Sequence, residues 1–349
     1  MDVYDLAIIG AGPAGSTLAR LLGKSGLRIL LADGSRPGKS KPCGGLLAPD
    51  AQKALAGFDL TLPKSILVDP QIFSVKTIDL ERDIVRYYSR FYVNMDREKF
   101  DRWLLSLVPD TVSIINSRCT DVRRCEEGFA LGLSGGSEVK CRMLVGADGA
   151  GSIVRRSFFS GDIMYYISIQ QWFKAGEESN PFYSCIFDPP TSESCSWSIH
   201  KDGYFIYGGS FAPHNCRAMF EEQKRRIEGK YGISFGEPLK TEACKVYRPR
   251  KMRDFRTGSD GVFLIGEASG LISPSSFEGI SSAILSAKAL AASILDGGNI
   301  AHAYRRRTLT LRLKMRLKCI KRLFMYVPAL RRCVMRLGLM SIKVETDQR

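Results

Sequence analysis

Gly10-Ala11-Gly12-Pro13-Ala14-Gly15 stands between a short apolar run, Asp5 to Ile9, and Ser16-Thr-Leu-Ala-Arg-Leu-Leu, whose apolar residues recur at helical spacing. Strand, glycine turn and helix in that order are what a dinucleotide site requires. Gly10 permits the tight turn, Gly12 lets backbone approach a pyrophosphate, and Gly15 lets helix and strand pack closely. Pro13 and Ala14 open the helix, whose free N–H groups and positive end face the phosphates. A second strand, Arg28 to Ala32, ends at Asp33, about 20 residues on, where an acid binds ribose hydroxyls. This stretch leaves open which dinucleotide it serves.

Two later turns repeat the theme. Met143 to Val145 is an apolar strand running into Gly146-Ala147-Asp148-Gly149, with Ser152 as the cap of a following helix. From spacing alone, a turn capped by Asp148 reads nearly as well as a ligand site. Val262 to Ile265 runs into Gly266-Glu267, and Pro274 and Gly279-Ile280 lead into a strong helix from Ser281. In a parallel sheet, strands ending at Asp33, Asp148 and Glu267 share one edge, the edge where ligands bind. Three such turns predict one long ligand lying across it.

Between these turns the chain changes character. Pro42-Cys43-Gly44-Gly45 suggests backbone brought close to a ligand, although a plain turn around a small buried thiol is the simpler reading of that stretch alone. A helix is predicted from Asn94 or Asp96 through Leu107, with Phe100, Trp103 and Leu104 on one face, and a hairpin from Cys119 to Cys141. Residues 163–250 read as successive antiparallel strands rich in Trp172, Phe182, Tyr183 and Trp197, the side chains of a ligand cavity or of an ordinary aromatic core. Phe220 to Lys230 reads as a charged surface helix.

At 349 residues the chain exceeds the size at which one core stops growing, which predicts two lobes. No apolar run approaches the ~20 residues of a membrane span. The first strand begins within five residues of Met1, leaving no room for a signal peptide. Ten cysteines without metal-ligand spacing predict reduced thiols in a cytoplasmic chain and no metal site. The net charge of +15 is concentrated at the end: residues 301–349 hold 14 Lys and Arg against Glu345 and Asp347. The nearly neutral body argues against nucleic acid. From Leu309 to Lys318 apolar and polar residues alternate as in a strand, but Leu, Lys, Arg and Met favour helix, and helix is the expectation. Such a helix suits an anionic membrane surface, or packs on the body with a solvated basic face.

Together, Gly10-x-Gly12-x-x-Gly15, Gly146-Ala-Asp148-Gly149 with Ser152, and Gly266-Glu267 leading to Glu278-Gly279-Ile280 resemble the glutathione-reductase-type FAD fold. That fold is α/β, a Rossmann lobe with an antiparallel-sheet substrate lobe, shared by flavoprotein hydroxylases, flavin halogenases and geranylgeranyl reductases. Pro42-Cys43-Gly44-Gly45 resembles the geranylgeranyl reductase family within that set, and the likeness runs to about Leu330. It implies a flavin lobe of residues 1–64, 96–160 and 251–300, a substrate lobe of 65–95 and 161–250, and a basic helical extension of 301–349.

By the same resemblance Gly10, Gly12 and Gly15 cradle the FAD pyrophosphate, Ala32 and Asp33 meet the adenosine ribose, and Cys119 and Thr120 flank adenine. Arg97 opens the helix beside the flavin, Ala147, Asp148, Gly149 and Ser152 form the second motif, and Gly266, Glu267 and Pro274 the third. Gly279 and Ile280 aim backbone N–H groups at the flavin, and Cys43, Gly44 and Gly45 lie at its face. Cys43 and Trp197 are the implied catalytic pair. The implied activity is reduction of C=C bonds in a prenyl or other apolar substrate, with NAD(P)H, ferredoxin or a flavin reductase as electron donor. Alternatives are a flavin monooxygenase or halogenase, and a flavin-binding regulatory or resistance protein. Three positions depart from the family: Glu267 stands for aspartate, and Phe277 for a glycine whose loss narrows the space beside the flavin. Of the reductases' aromatic motif only Trp197 survives, among Cys195, Ile199 and His200.

Overall fold

The computed structural model describes residues 3–35, 41–176 and 183–344. Phe182 and most of the loop after Asp33 lie outside the described residues. In chain order the strands are β1 (Val3–Ile9), β2 (Ile29–Ala32), β3 (Leu46–Leu47), β4 (Ile72–Asp79), β5 (Ile84–Asn94), β6 (Ser113–Ile115), β7 (Cys119–Cys125), β8 (Gly128–Leu133), β9 (Glu138–Gly146), β10 (Tyr165–Lys174), β11 (Tyr183–Phe187), β12 (Cys195–Lys201), β13 (Tyr204–Phe211), β14 (Lys240–Tyr247), β15 (Gly258–Ser259) and β16 (Val262–Leu264). The helices are α1 (Pro13–Leu22), α2 (Pro49–Ala56), α3 (Arg97–Ser106), α4 (Ile153–Phe158), α5 (Cys216–Tyr231), α6 (Ile280–Leu295), α7 (Ile300–Arg307), α8 (Leu309–Tyr326) and α9 (Pro328–Leu337).

The first sheet runs β15-β16-β9-β1-β2-β6, with the β7–β8 hairpin joined through β9. Its central pairs, β1 with β2 and β9, β9 with β16 and β2 with β6, are all parallel. Strand β1 is buried on both faces, as a central parallel strand must be. Leu6 and Ile8 pack with Leu18 and Leu22 of α1 and Leu290 of α6. Ala7 and Ile9 face Phe129 and Leu131 of the hairpin and Val154 of α4. Helix α3 is capped by Asp96, whose carboxylate accepts from the N–H groups of Glu98 and Lys99. Asn94, the other candidate cap, is the buried last residue of β5.

The second sheet runs β14-β10-β13-β12-β11-β4-β5-β3. It is not wholly antiparallel: β4 and β11 pair in parallel from Val75 with Tyr183 to Asp79 with Phe187. Nor do β10 and β11 pair as successive strands; β12 and β13 lie between them. Strand β14 hid in Lys-Thr-Glu-Ala-Cys-Lys-Val-Tyr because it forms the sheet's end, where charge is tolerated and guards an edge. Helix α5 covers one face through Phe220 and Ile227, against Phe173, Tyr207 and Phe211.

The C-terminal segment is helical throughout α7 to α9. Tyr304 is wholly buried and its hydroxyl donates to the Leu264 carbonyl at 2.9 Å, which pins α7 to the first sheet. Helix α8 buries Arg312 and Met315, and α9 buries Arg331 and Met335. The alternation in α8 therefore resolves as helix, and the helix packs on the body. The face it turns outward is mixed: Leu313 is 48% exposed, Leu317 65%, Ile320 55% and Phe324 50%, beside exposed Lys314, Arg316 and Lys321.

Candidate active site

The C-terminal ends of β1, β2, β9 and β16 meet along one edge. Gly10 N donates to Ala32 O, Ala147 N to Ile9 O and Ile265 N to Gly146 O, at 2.8, 2.8 and 3.0 Å. The three acid turns thus converge, as an α/β sheet with a ligand at its carboxyl edge requires. Gly10 has φ +101°, and a Cβ there would stand 2.7 Å from the Ala147 carbonyl oxygen. A Cβ on Gly15 would overlap the Gly10 carbonyl. Gly12, the N-cap of α1, differs: a Cβ there meets no protein atom within 4 Å. Its glycine is not demanded by packing, which leaves it facing open room at the start of α1, with Pro13 and Ala14 beneath.

The second motif holds an unspent acceptor. Asp148 Oδ2 accepts from Ile153 N at 2.7 Å, while Oδ1 is buried without a partner. Burial pushes the Asp148 carboxyl above its ordinary range. An orphaned carboxylate oxygen beside a glycine cradle fits a polyhydroxylated ligand, whose O–H groups would satisfy it. Ser152 caps α4 through Arg155 N at 3.0 Å, and the Arg155 guanidinium donates to Ala268 O at 2.9 Å. The second and third motifs are thereby tied together. Gly149 is exposed to the same corner, with Glu267 Oε2 3.9 Å from its Cβ position.

Glu267 is committed to protein groups. Its Oε1 accepts from Tyr247 N at 3.0 Å and its Oε2 holds the Lys41 ammonium. Burial opposes the Lys41 charge, but Glu267 more than offsets it and holds the amine above its ordinary range. The extra methylene of glutamate lets the carboxylate reach Lys41, a residue that motif spacing did not single out. Asp33 accepts from Ser35 N and Oγ at 2.9 and 2.8 Å. Cys119 is buried, its thiol pushed up to about 11 by that burial, and adjoining Thr120 is exposed.

Phe277 packs within the wall beside the third motif. It occupies the left-handed backbone region its glycine counterpart would, φ +54°, and its ring packs on Tyr166 with centroids 6.1 Å apart and against Arg248. Beyond it Gly279 is the N-cap of α6, Ile280 starts that helix, and Pro274 O accepts from Arg248 Nε at 3.3 Å. Gly266 takes φ +58°, its N–H donating to Ser286 Oγ at 2.9 Å.

Cys43-Gly44-Gly45 packs against the second sheet, at Trp197, Tyr183 and Lys201. Gly45 N donates to Cys43 Sγ at 3.4 Å, and Gly45 has φ +61°. The Gly44 Cβ position lies 3.6 to 3.8 Å from the Trp197 indole. Trp197 is 9% exposed and its Nε1 donor has no partner. Arg97, first residue of α3, donates to Asp101 at 2.8 Å; Asp101, and then Cys43, outweigh the cost of its burial and hold its cation above the ordinary range. One further group, Lys201, escaped the sequence reading because only tertiary packing brings it here. Lys201 is buried, donating to Met95 O at 2.5 Å and Gly45 O at 3.2 Å, with its amine lowered to about 8 by burial. Glu278, beside Gly279, is pushed up by burial, with one weak donor, Ser281 Oγ, at 3.4 Å. The pair Cys43 and Trp197 is brought together with Arg97, while Cys119 and Thr120 sit on the β7 side.

The glycine cradle and the converging acid turns of this edge are those of a glutathione-reductase-type dinucleotide fold, and the cradle and the free oxygen of Asp148 fit FAD. Known proteins agree. Residues 5–165 match the family model of lycopene cyclase protein. The chain is 44% identical over 353 residues to protein CbrA of Escherichia coli O6:H1, covering 98% of this chain and 95% of that protein. It is as similar to CbrA of Shigella flexneri. The chain belongs to the CbrA family. Among solved structures, a geranylgeranyl bacteriochlorophyll reductase-like protein from Thermoplasma acidophilum superposes with TM-score 0.80 at 20% identity, covering 99% of this chain and 94% of that one. PqsL, a probable FAD-dependent monooxygenase from Pseudomonas aeruginosa, gives 0.73 at 18%, covering 97% and 100%. The fold is that of the FAD-dependent oxidoreductases and monooxygenases. Among the described residues no helix is long and apolar enough to cross a membrane, and no group of His, Cys, Asp or Glu could hold a metal ion.

Proposed function

We propose that this protein is a flavin-dependent reductase of C=C bonds in a prenyl or other apolar compound, working at an anionic membrane surface. The contact that supports this reading is Gly44 against Trp197, which packs the Cys43 turn on the indole of the second sheet. FAD would be held by Gly10, Gly12 and Gly15 at its pyrophosphate and by Asp148 at a hydroxyl, and when reduced it supplies a hydride. Cys43 is positioned to give the proton, with Arg97 beside its sulfur to take up the charge left behind. Glu278, kept protonated more readily by burial, is the second acid of the site. Lys201 holds the backbone beside Cys43 through the Gly45 carbonyl. Electrons come from an external donor, NAD(P)H, ferredoxin or a flavin reductase.

The purified protein should be yellow and release FAD. Under anaerobic conditions the chemically reduced protein should be reoxidised by a polyprenyl compound, whose mass rises by two hydrogens per turnover. Labelled oxygen from O₂ in the product would instead make it a monooxygenase. Cys43→Ala should slow turnover ~100-fold, the scale of one general acid, while flavin binding stays. An unchanged rate would reduce Cys43 to a lining residue and pass the proton to Glu278.

A further inference from the structure

Two cysteines of the second sheet have no part in the glycine edge or in the chemistry proposed for Cys43. Strands β11 and β12 form a hairpin in which Cys185 stands opposite Trp197 and Phe187 opposite Cys195. Residues two apart on a strand share a face, so Cys185, Phe187, Cys195 and Trp197 all rise from one side of the hairpin. The thiols of Cys185 and Cys195 meet there across the diagonal and hydrogen-bond to each other. All ten cysteines of the chain are free, and of this pair Cys185 is half-buried while Cys195 is 8% exposed. Phe187, Ser194 and Tyr326, which surround Cys195, also line a cavity of about 330 Å³ at the α8–α9 corner.

The two sulfurs are not equivalent. The Tyr326 hydroxyl, at the end of α8, donates to Ser275 O at 2.7 Å and lies 3.4 Å from Cys195 Sγ. Buried Arg248 stacks on the Tyr326 ring at 4.5 Å, which brings a positive charge to the same corner. The Cys185 S–H, and after it the Tyr326 hydroxyl and Arg248, hold the Cys195 thiol below its ordinary range against the cost of burial. The same hydrogen bond, and then burial, push the Cys185 thiol well above it. One sulfur is thus set up to ionise and its neighbour to keep a proton and donate to it. Two thiols that served only as small core side chains would need no donor and no cation beside them. A polarised thiol in contact with a second one is instead the pairing of a nucleophilic cysteine with a resolving cysteine.

We propose that Cys185 and Cys195 are a redox-active dithiol that hydrogen peroxide converts to a disulfide across the β11–β12 hairpin. The Cys195 thiolate attacks one peroxide oxygen and the O–O bond breaks, giving a sulfenic acid and hydroxide. The Cys185 sulfur then displaces the sulfenic oxygen, which leaves as water and takes up the Cys185 proton. The two sulfurs together lose two electrons, and the peroxide gains them. Peroxide supplied from outside is sufficient, so the proposal stands or falls apart from the reductase reading. In the test, reduced full-length protein is treated with one equivalent of hydrogen peroxide, quenched with iodoacetamide in denaturant and digested with trypsin. The peptide from Ala175 to Lys201 holds both cysteines and no others. It should be found unalkylated and two hydrogens lighter, before any other cysteine of the chain is modified. In Cys185→Ser the reaction should stop at a Cys195 sulfenic acid, which a 1,3-dione traps. In Cys195→Ser the remaining Cys185 should oxidise roughly tenfold more slowly or less readily still. Full alkylation of that peptide after peroxide overturns the proposal, as does a bridge from either cysteine to Cys43 or prior modification of exposed Cys333. Equal oxidation of the remaining thiol in the two serine variants overturns it as well, since neither sulfur would then be the nucleophile.

Discussion

Two recesses in this protein are built by opposite means. At Gly12 the room is left by backbone: Gly10 and Gly15 are pressed against neighbouring main chain, and Gly12 between them touches nothing. Beneath α8 and α9 the room is enclosed by long side chains, Arg331, Arg322 and Tyr326, brought from far along the chain to Phe187 and Ser194. A backbone recess admits no side chain and must be written in glycine at fixed spacing. A side-chain recess can be written in any residues that reach it, so nothing local marks it.

The largest effects should come from the first recess, and they separate its glycines. Gly15→Val drives a side chain into the Gly10 carbonyl, which cannot yield because it belongs to the turn. It should cost about 3 kcal/mol or more of stability, the scale of a severe overpacking, and lower the melting temperature even without cofactor. Gly12→Val has no protein atom to strike. Its cofactor-free melting temperature should match the wild type, while FAD affinity falls ~100-fold, or about 2.7 kcal/mol. Equal destabilisation by the two would break the distinction, because Gly12 would then be a packing glycine. FAD titration and thermal melting of both variants decide it.

Lys201 tests how far side chains also hold the flavin edge. Its amine is lowered to about 8 by burial, from an ordinary 10.5. Between those values the unfolded chain carries a proton that the folded chain does not, so stability should rise with pH across that window. Below about pH 8 both states carry it and the slope vanishes. A shift of this size corresponds to ~3 kcal/mol over the full window. Lys201→Met, which keeps the stem that fills the space beside Gly45, should flatten the rise when denaturant unfolding is followed from pH 7.5 to 10.5. A profile as steep as the wild type would assign the rise to other groups.

These contrasts show why the fold was legible and parts of the site were not. The parallel sheet, its helices and its three acid turns all follow from local pattern, since buried strands and glycine turns are set by neighbours in sequence. The second sheet was legible as strands but not in its pairing. The parallel contact of β4 with β11 joins residues about a hundred positions apart, and no period in either strand records it. Likewise Asp148 was marked by its motif, whereas Lys41 on Glu267, Lys201 beneath Gly45 and Arg248 against Tyr326 are long-range meetings. The sequence also spoke ambiguously in α8, where alternation argued for strand and composition for helix. Composition decided it because Leu, Lys, Arg and Met form helices readily and the body supplies a surface for one side only.

That one-sidedness leads to the smallest expected effect. The sequence allowed α8 to be a membrane helix or a packed helix with a solvated basic face. The helix is packed, yet Leu309, Leu313, Leu317, Ile320 and Phe324, spaced by three and four residues, form an exposed apolar stripe. Arg316 and Lys321 flank it, while Lys314 is drawn 2.9 Å from Asp50 of α2. If the protein works at an anionic bilayer surface, as proposed, the stripe would enter the interface and the cations would meet headgroups. Removing the segment after Gly298 would be a poor test, since it takes away Tyr304 from the core of the first sheet. Leu317→Glu and Phe324→Glu in the full chain leave the buried side intact. In sedimentation with anionic vesicles at low salt, each should lower partitioning about fivefold, the ~1 kcal/mol expected of one half-exposed side chain. Added salt should release the wild type by screening its cations, and neutral vesicles should retain little. If the wild type fails to sediment with anionic vesicles, or if both variants partition as it does, the stripe has no part in docking to lipid. A graded loss would instead join the tail to the chemistry, because the helix that meets the bilayer also carries Tyr326 to the wall before Trp197.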